Sequence, residues 1–347
     1  MPRFRILTTK ATTVSTGLGG YGFEMEALDP LDAEIVECEP TEAAFIALAP
    51  TADAVYAKGM RFTAPMIGAL ARCKVISLGS VGVDTVDVAA ATAKGIPVTN
   101  CPDTFIDEVA DHAMMLLLAA HRRAIEQDRM VRDGRWTQGR PKLLEIPRLM
   151  GQTLGFIAFG RVARATARRA KAFGLNIIAH DPFVDEQTIA EHGVEPVSLD
   201  DVLTRSDFIS MHMPATPEAQ GFLKGQHFRR MKPTCIFVNT GRGPTVEEAG
   251  LIKALQEGWI AGAGLDVFEI EPVKPDNPLL KMANVILSPH NASASARFDP
   301  ARKRRVGREI ANVLSGRWPL SCVNPTVLVG STLRRWQPIS MERGPNS

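Results

Sequence analysis

The chain has 347 residues, enough for two domains, and a formal net charge of +2 with only 6% aromatic residues, which argues against a nucleic-acid-binding protein. Five cysteines without a CxxC pair, and an N-terminus without an apolar signal segment, predict a reduced, cytoplasmic protein; no metal site is predicted. The longest apolar run, AMMLLLAA from Ala113, is too short to span a bilayer, so no membrane partner is expected.

The N-terminal hundred residues alternate between strand-like and helix-like runs. Strands are predicted at 4–8, 33–36, 54–56 and 75–78, a helix at 64–73, and a further short strand at 95–100. Strands that alternate with helices predict a parallel α/β unit. A break at 101–103 predicts a hinge.

A glycine-containing loop, GSVGVD, follows the fourth predicted strand from Gly79. Its glycines allow the backbone to approach a ligand and to present N–H groups to an anion. From these residues alone, a tight turn between strand and helix is the better interpretation.

Two helices are predicted after the hinge. Thr104 and Asp107 fit a capping box, and the long helix that follows has apolar residues on one face. A second helix over 124–133 is predicted to end at Gly134.

Residues 154–181 show the strand–turn–helix–strand pattern typical of dinucleotide binding. The sequence LGFI from Leu154 predicts a strand, and a helix over 164–173 is predicted to stop at Gly174. The next strand, 176–180, runs into Asp181. A carboxylate there accepts hydrogen bonds from the adenosine ribose and repels a 2′-phosphate, so NAD is predicted over NADP.

The turn itself, AFGRVA, occupies the place of a G-x-G-x-x-G sequence but retains only its middle glycine, Gly160. Ala163 is compatible with the pattern, whose last position tolerates alanine. Ala158 is the real departure, because a methyl group costs little there only if φ stays negative.

Three further strand-like runs end close to residues that can act together: Arg242, Glu271 and His290. Ligands bind at strand ends in open α/β sheets. Arginine suits a carboxylate, histidine exchanges a proton near neutral pH, and a carboxylate bonded to that histidine raises its pKa. Each residue alone has an ordinary structural explanation. Their order after three strands, downstream of a nucleotide pattern, predicts a triad. His212, at the end of another strand, is interpreted as lining the cofactor site and not as a base.

The segments NTGRG from Asn239, DVFEIEP from Asp266 and SPH from Ser288 resemble the D-isomer-specific 2-hydroxyacid dehydrogenase family, and the resemblance extends from about residue 5 to 328. It implies reversible hydride transfer between NAD and C2 of a D-2-hydroxy acid or its 2-oxo acid. It also implies that Arg242 binds the substrate carboxylate, that Glu271 supports His290, and that His290 exchanges the proton.

The resemblance implies further site residues. Backbone amides of Ser80, Val81 and Gly82 are expected to hold the substrate carboxylate, and Asp266 is expected to bind the nicotinamide carboxamide. The full set of expected cofactor-binding residues is Ala158, Gly160, Arg161, Val162, Asp181, His212, Met213, Pro214, Thr240, Gly241, Arg242, Asp266 and His290.

The expected architecture is two α/β domains with a cleft between them. A doubly wound, Rossmann-type NAD domain (103–295) is inserted into a flavodoxin-like substrate domain (1–102 and 296–330), and residues 331–347 form a loose tail. A helical arm near 104–140 is expected to form a homodimer. The basic run from Arg302, on a predicted helix over 302–314, is expected to face solvent.

Two alternatives stay open from the sequence. One is a non-enzymatic NAD(H)-sensing protein of the corepressor type, which shares the fold and the triad. The other is a formate or phosphite dehydrogenase on the same scaffold, although formate enzymes lack the equivalent of Glu271. At the position of Phe105 the family most often has Asn, and at the position of Asp111 it most often has Glu. The class of substrate is therefore open.

Overall fold

The computed structural model describes residues 2–10 and 20–336. By their internal contacts, these residues divide into two compact units. Unit 1 comprises the described chain up to Thr104 and from Ala296 onwards, and unit 2 comprises Phe105–Ser295.

Unit 1 contains a five-stranded parallel sheet with the strand order β2-β1-β3-β4-β5. This is the flavodoxin-like order, and it confirms that part of the predicted fold class. The strands are β1 (Phe4–Thr9), β2 (Ala33–Cys38), β3 (Ala54–Ala57), β4 (Ile76–Leu78) and β5 (Val98–Thr99). The helices are α1 (Gly22–Leu28), α2 (Glu42–Leu48), α3 (Ala64–Gly68), α4 (Val88–Ala93) and, from the returning chain, α13 (Phe298–Leu314).

Alternate residues of the central strands enter two separate cores of unit 1. Leu7 and Val55 pack with one core, and Ile6 and Tyr56 pack with the other, beside α13. Successive side chains of a strand point to opposite faces, and both faces are covered here, so the strands are almost continuously apolar. Two sequence predictions extended too far: the helix over 64–73 stops at Gly68, and the strand over 95–100 has only two residues.

The prediction that the basic run of α13 faces solvent is wrong for its first two residues. Arg302 and Lys303 are buried, and Arg302 pairs with Asp299 at 2.6 Å. Arg305 pairs with the buried Glu309 at 2.6 Å. A charged run on a helix predicts solvent exposure only when neighbouring carboxylates do not neutralise it inside the protein.

Unit 2 contains a seven-stranded parallel sheet with the order β12-β11-β10-β9-β6-β7-β8. The order reverses between β6 and β9, which is the doubly wound arrangement, and it confirms the Rossmann-type prediction. The strands are β6 (Thr153–Ile157), β7 (Asn176–His180), β8 (Glu195–Pro196), β9 (Phe208–Met211), β10 (Ile236–Asn239), β11 (Gly262–Leu265) and β12 (Val285–Leu287).

Helices cover both faces of this sheet and leave a separate core on each. They are α5 (Ile106–His121), α6 (Ala124–Arg132), α7 (Trp136–Leu143), α8 (Arg161–Ala172), α9 (Glu186–Glu191), α10 (Leu199–Arg205), α11 (Gly225–Phe228) and α12 (Glu248–Gln256). Short 3₁₀ turns connect several of these elements. Gly174 ends α8 with a φ of 75°, as predicted.

Two local predictions for unit 2 are wrong, and one helix was not predicted. The N-cap of α5 is Phe105 and not Thr104, and phenylalanine has no side-chain acceptor; Asp107 pairs with Arg169 at 2.9 Å. Helix α7 was not predicted, since Gly139 and Pro141 lie inside it and both residues have low helix propensity. Helix α8 begins three residues before the predicted start, directly at the turn.

No helix among the described residues is long and apolar enough to cross a membrane. Of the predicted loose tail, residues 331–336 are described and contact the segment after α13: Trp318 N–H donates to Arg334 O at 2.9 Å, and the indole of Trp336 donates to Trp318 O at 3.0 Å. Residues 337–347 lie outside the described part.

Candidate active site

Three neighbouring strands of unit 2 bring the predicted triad to one edge of the sheet. Strands β10, β11 and β12 pair in parallel, with Asn239 opposite Leu265 and Leu265 opposite Leu287. Their carboxyl ends therefore lie side by side. Arg242 follows β10 by three residues and His290 follows β12 by three, while Glu271 lies in the segment between β11 and β12.

Glu271 and His290 are hydrogen-bonded. The Oε2 atom of Glu271 is 2.7 Å from Nδ1 of His290, and its Oε1 accepts the N–H of Phe268 at 3.0 Å. An acceptor on Nδ1 requires a proton at that atom, which leaves Nε2 as the ring nitrogen that gains or loses a proton. The Phe268 N–H orients the carboxylate that orients the imidazole.

The pKa values of this pair are shifted in opposite directions. Burial pushes the pKa of Glu271 upwards, but the hydrogen bonds from His290 and from Phe268 outweigh it, so that this pKa is lowered. The hydrogen bond with Glu271 raises the pKa of His290, against burial and the charge of Arg242. At neutral pH, Glu271 is ionised and a larger fraction of His290 is imidazolium than for a free histidine.

Arg242 is partly buried, and its backbone is fixed on several sides. Its carbonyl accepts hydrogen bonds from the Asn239 amide at 3.2 Å and the Thr245 hydroxyl at 2.5 Å. A side chain at Gly243 would lie 1.7 Å from Phe268 O, so only glycine permits this approach of the two loops. Arg242 and Phe268 are therefore held together through backbone contacts, and Phe268 is the residue that orients Glu271. The charge of Arg242 lowers the pKa of both Glu271 and His290.

Asp266, the residue directly after β11, is only 1% exposed. Its Oδ1 accepts the Ser288 hydroxyl at 2.6 Å and the Asn291 N–H at 3.0 Å, and its Oδ2 accepts the Ala292 N–H at 2.9 Å. The carboxylate is thus bound to the segment that carries His290. Its expected contact with a nicotinamide carboxamide stays a prediction.

The turn between β6 and α8 has an unusual backbone. Ala158 has a φ of 69°, so the condition under which a methyl group costs little there is not met. Its neighbour Phe159 donates its N–H to Asp181 Oδ2 at 2.8 Å. Non-glycine residues in the left-handed region cost roughly 1–2 kcal/mol, and surrounding hydrogen bonds must hold them there.

The same turn fits the diphosphate of a dinucleotide. Helix α8 begins at Arg161, and the N–H groups of Arg161 and Val162 belong to its first turn, where the helix dipole favours an anion. A Cβ placed on Gly160 would meet nothing within 4 Å, so the space in front of the turn is open. Asp181 lies at the end of the adjacent strand β7, at the position expected for contact with a ribose.

The other expected cofactor residues lie along the ends of β9 and β10. A side chain at Gly241 would lie 3.0 Å from Met213 O, so the segment Thr240–Gly241 passes close to His212, Met213 and Pro214. Burial lowers the pKa of His212 to about 4, and its Nε2 is 2.8 Å from the Ser210 hydroxyl. At pH 7 His212 is therefore neutral, and its assignment to the lining of the cofactor site stays a prediction.

In unit 1, the loop after β4 is folded so that its carbonyl groups are occupied. Ser80 O accepts the Cys101 N–H at 2.8 Å, Val81 O accepts the Asn100 amide at 2.6 Å, and Gly82 O accepts the Ser80 hydroxyl at 2.7 Å. Val81 is exposed. These hydrogen bonds fix the loop through its carbonyl oxygens. This arrangement is compatible with backbone N–H groups that point to an anion.

Sequence reasoning did not identify three residues that hold these segments. Asn100 holds the loop after β4, and Ser288 and His112 lie behind the segment of His290, with His112 Nε2 2.8 Å from Ser288 Oγ. The contacts of Asn100 and His112 join residues far apart in the chain, so no local pattern could have indicated them.

Comparison with known proteins places this chain in a family. The family model for the D-isomer specific 2-hydroxyacid dehydrogenase, NAD binding domain, matches residues 114–292. A glyoxylate reductase of Korarchaeum cryptofilum is 44% identical over 301 residues, which cover 86% of this chain and 81% of that relative. A D-3-phosphoglycerate dehydrogenase of Mycobacterium bovis is 37% identical over 286 residues, which cover 82% of this chain and 53% of that relative.

A solved structure is also similar over nearly the whole chain. It is an NADPH-dependent glyoxylate/hydroxypyruvate reductase from Sinorhizobium meliloti in complex with NADP and malonate, with a TM-score of 0.79 and 33% identity over 93% of this chain and 98% of that one. The family match, the identity to curated relatives and the two parallel sheets agree with one another. The chain belongs to the D-isomer-specific 2-hydroxyacid dehydrogenase family of NAD(P)-dependent oxidoreductases.

Proposed function

We propose that this protein is an NAD-dependent oxidoreductase that interconverts a small D-2-hydroxy acid and its 2-oxo acid, with His290 as the acid–base group. The observation that carries the proposal is the chain of hydrogen bonds from the Phe268 N–H through Glu271 to His290 Nδ1. This chain leaves Nε2 to exchange the proton. The D configuration follows from the resemblance to the family.

In the reductive direction, His290 Nε2–H donates a proton to the carbonyl oxygen of the 2-oxo acid. In the oxidative direction, neutral Nε2 removes the proton of the hydroxyl group. The ionised Glu271 stabilises the imidazolium form and keeps the ring oriented, which general acid–base catalysis requires. A nicotinamide cofactor, when bound, would supply the hydride to C2 in reduction or accept it in oxidation.

Arg242 is assigned to the substrate carboxylate, because a guanidinium group forms paired, charge-assisted hydrogen bonds with a carboxylate. From the family resemblance, the backbone amides of Ser80, Val81 and Gly82 are also assigned to binding a carboxylate. The occupied carbonyl groups of that loop support this assignment.

For the cofactor, the N–H groups at the start of α8 would hold the diphosphate, and Asp181 would accept hydrogen bonds from the adenosine ribose. A carboxylate at this position opposes a 2′-phosphate, so we assign NAD rather than NADP. The residues around Gly241 and Met213 would border the nicotinamide end. Five free thiols in the structure support a reducing cellular compartment, the cytoplasm.

The names of the relatives indicate which substrates to test. Glyoxylate and hydroxypyruvate come first, followed by pyruvate, branched-chain oxo acids and phenylpyruvate, each with NADH and NADPH in parallel. The readout is the loss of absorbance of the reduced cofactor. We expect turnover with at least one 2-oxo acid and a preference for NADH.

His290→Asn tests the assigned role directly. We expect it to remove most turnover, since general acid–base catalysis typically contributes about 10²- to 10⁴-fold, while NADH affinity by titration stays unchanged. His227→Asn is the control, because His227 lies on α11 and its Nδ1 accepts the N–H of Lys224. Full turnover by His290→Asn would contradict the mechanism.

A further inference from the structure

A partly buried network of polar groups lies behind the segment that carries His290. At its centre is the carboxylate of Asp266, which accepts three hydrogen bonds from residues 288–292. In addition, the His290 N–H donates to the backbone carbonyl of Asp266 at 2.8 Å, and the Ser288 N–H donates to Leu265 O at 2.9 Å. The end of β11 therefore holds the segment after β12 through five hydrogen bonds.

His290 needs such support because its own backbone is strained. Its φ is 49°, in the left-handed region that side chains with a Cβ rarely adopt. Such a conformation costs about 1–2 kcal/mol and persists only when its surroundings impose it. The orientation of the imidazole therefore depends on two supports: Glu271 at the ring, and the Asp266 network at the backbone.

The proton count in this network assigns a role to His112. Ser288 has one hydroxyl proton, and it donates this proton to Asp266 Oδ1 at 2.6 Å. The second contact of the Ser288 oxygen is His112 Nε2 at 2.8 Å, so this nitrogen must be the donor. His112 therefore carries a proton on Nε2. The same nitrogen is 3.5 Å from Asp266 Oδ1. The partial positive charge of its N–H group is attracted to the carboxylate.

His112 is suited to hold Ser288 in place. It lies in the middle of α5, a helix of 16 residues packed on the sheet of unit 2, and its side chain is 17% exposed. A donor on a long packed helix is held rigidly. The chain of contacts runs from α5 through Ser288 and Asp266 to the backbone of residues 290–292.

We propose that His112 and Ser288 are positioning residues for the acid–base histidine, which they hold in its strained backbone conformation through the buried Asp266 carboxylate. The inference rests on the proposed function of His290. Neither residue touches the reacting atoms in this scheme. Their loss should slow the proton-coupled step and leave cofactor affinity unchanged, because a displacement of about 1 Å at a catalytic group can cost up to 100-fold in rate.

The test compares His112→Phe with His112→Gln. Phenylalanine keeps a planar ring but removes the donor, whereas the glutamine amide offers an N–H at a similar reach. We expect His112→Phe to lower kcat about tenfold with NADH affinity within twofold of wild type, and His112→Gln to stay within about threefold. The isotope effect on kcat with NADH deuterated at C4 should rise in His112→Phe, since the chemical step becomes more rate-limiting.

A merely structural role predicts a different result. If His112→Phe only reduces the fraction of folded enzyme, kcat per active site and the isotope effect stay at their wild-type values, and the proposal is overturned. Equal loss in His112→Phe and His112→Gln also overturns it. Should His112→Phe fail to fold, Ser288→Ala against Ser288→Thr makes the same comparison.

A second measurement does not depend on turnover. The imidazole ¹⁵N shifts of His112, identified by their absence in His112→Gln, should show a proton on Nε2 in the wild-type protein. A neutral Nδ1–H form would overturn the proposal. If the wild type reduces no 2-oxo acid while this proton is on Nε2, the proposed function fails and the arrangement of the network stands.

Discussion

The carboxylate of Asp181 holds the N–H of Phe159 at 2.8 Å, so the end of β7 is tied to the turn that follows β6. Its other oxygen accepts the Phe183 N–H at 2.8 Å. The turn contains Ala158 with a φ of 69°. Asp181 is expected to determine the preference for NAD over NADP. The same side chain also fixes the turn between β6 and α8, which is expected to bind the diphosphate.

Ala158→Gly should stabilise the protein. Glycine removes about 1–2 kcal/mol of backbone strain, and its greater freedom in the unfolded chain offsets about 0.4–1 kcal/mol of this gain. We expect a net increase of about 0.5–1 kcal/mol in the free energy of unfolding, measured by urea denaturation, and NADH affinity at least equal to wild type.

The control for this substitution is Ala163→Gly. Ala163 is buried inside α8, where alanine is not strained, so glycine should destabilise by about 1 kcal/mol. Equal destabilisation by both substitutions would show that strain at Ala158 is not significant.

Asp181→Asn should weaken NADH binding and shift the preference towards NADPH. The amide has one acceptor oxygen where the carboxylate has two, so either Phe159 or Phe183 loses its partner, and the repulsion of a 2′-phosphate disappears. We expect NADH affinity to fall about tenfold, equivalent to about 1.4 kcal/mol, and NADPH affinity to fall less. Fluorescence titration with both cofactors measures this.

Asp185→Asn provides the matched comparison for that experiment. Asp185 caps α9 four residues further on and accepts the Thr188 N–H at 2.7 Å, away from the turn. Its substitution should leave the ratio of the two affinities unchanged. Tighter binding of NADPH than NADH by the wild type would contradict the role given to Asp181.

Much of this fold was predictable because the strands are apolar on both faces. Runs such as Ala54–Ala57 and Phe208–Met211 are wholly buried, so they stand out from the polar turns around them. The positions of Arg242, Glu271 and His290 were predictable because each follows an apolar run; β10 and β11 are wholly buried and β12 is partly buried. Helix α7 was not, because its glycine and proline oppose helix formation.

Other features of the site have no local pattern. The sign of φ at Ala158 depends on what holds the turn, and the residue alone does not determine it. His112 and Ser288 are 176 positions apart, and only the packing of α5 brings them together. Asp266 was predicted as a ligand of the cofactor, whereas its hydrogen bonds to residues 288–292 arise from the pairing of β11 with β12.

Glu271→Gln should move the pH profile to lower pH. Glu271 raises the pKa of His290, and the neutral amide removes that effect. Reduction of a 2-oxo acid requires protonated His290, so kcat/KM for reduction falls as the pH rises through this pKa. In Glu271→Gln the fall should begin at lower pH, and kcat at neutral pH should be reduced about tenfold or more.

The comparison for that profile is Glu269→Gln. Glu269 lies two residues away, but its carboxylate accepts the Glu248 N–H at 2.9 Å and does not bind the imidazole. Its profile should overlay that of the wild type. A Glu271→Gln profile that does not move would mean that His290 is not the group that titrates.

The helical arm near residues 104–140 is predicted to be a dimer interface. Several large apolar side chains are exposed in this arm, with Ile125 at 49%, Val131 at 55% and Trp136 at 76% exposure. Clustered exposed apolar groups mark interaction surfaces.

Light scattering after gel filtration should give twice the monomer mass for the wild type, and Val131→Glu together with Trp136→Glu should give the monomer. Phe183→Glu tests whether any exposed apolar group has this effect, because Phe183 is 93% exposed and lies outside the arm. That variant should remain a dimer; a monomeric wild type, or an arm variant that stays dimeric, would remove the assignment.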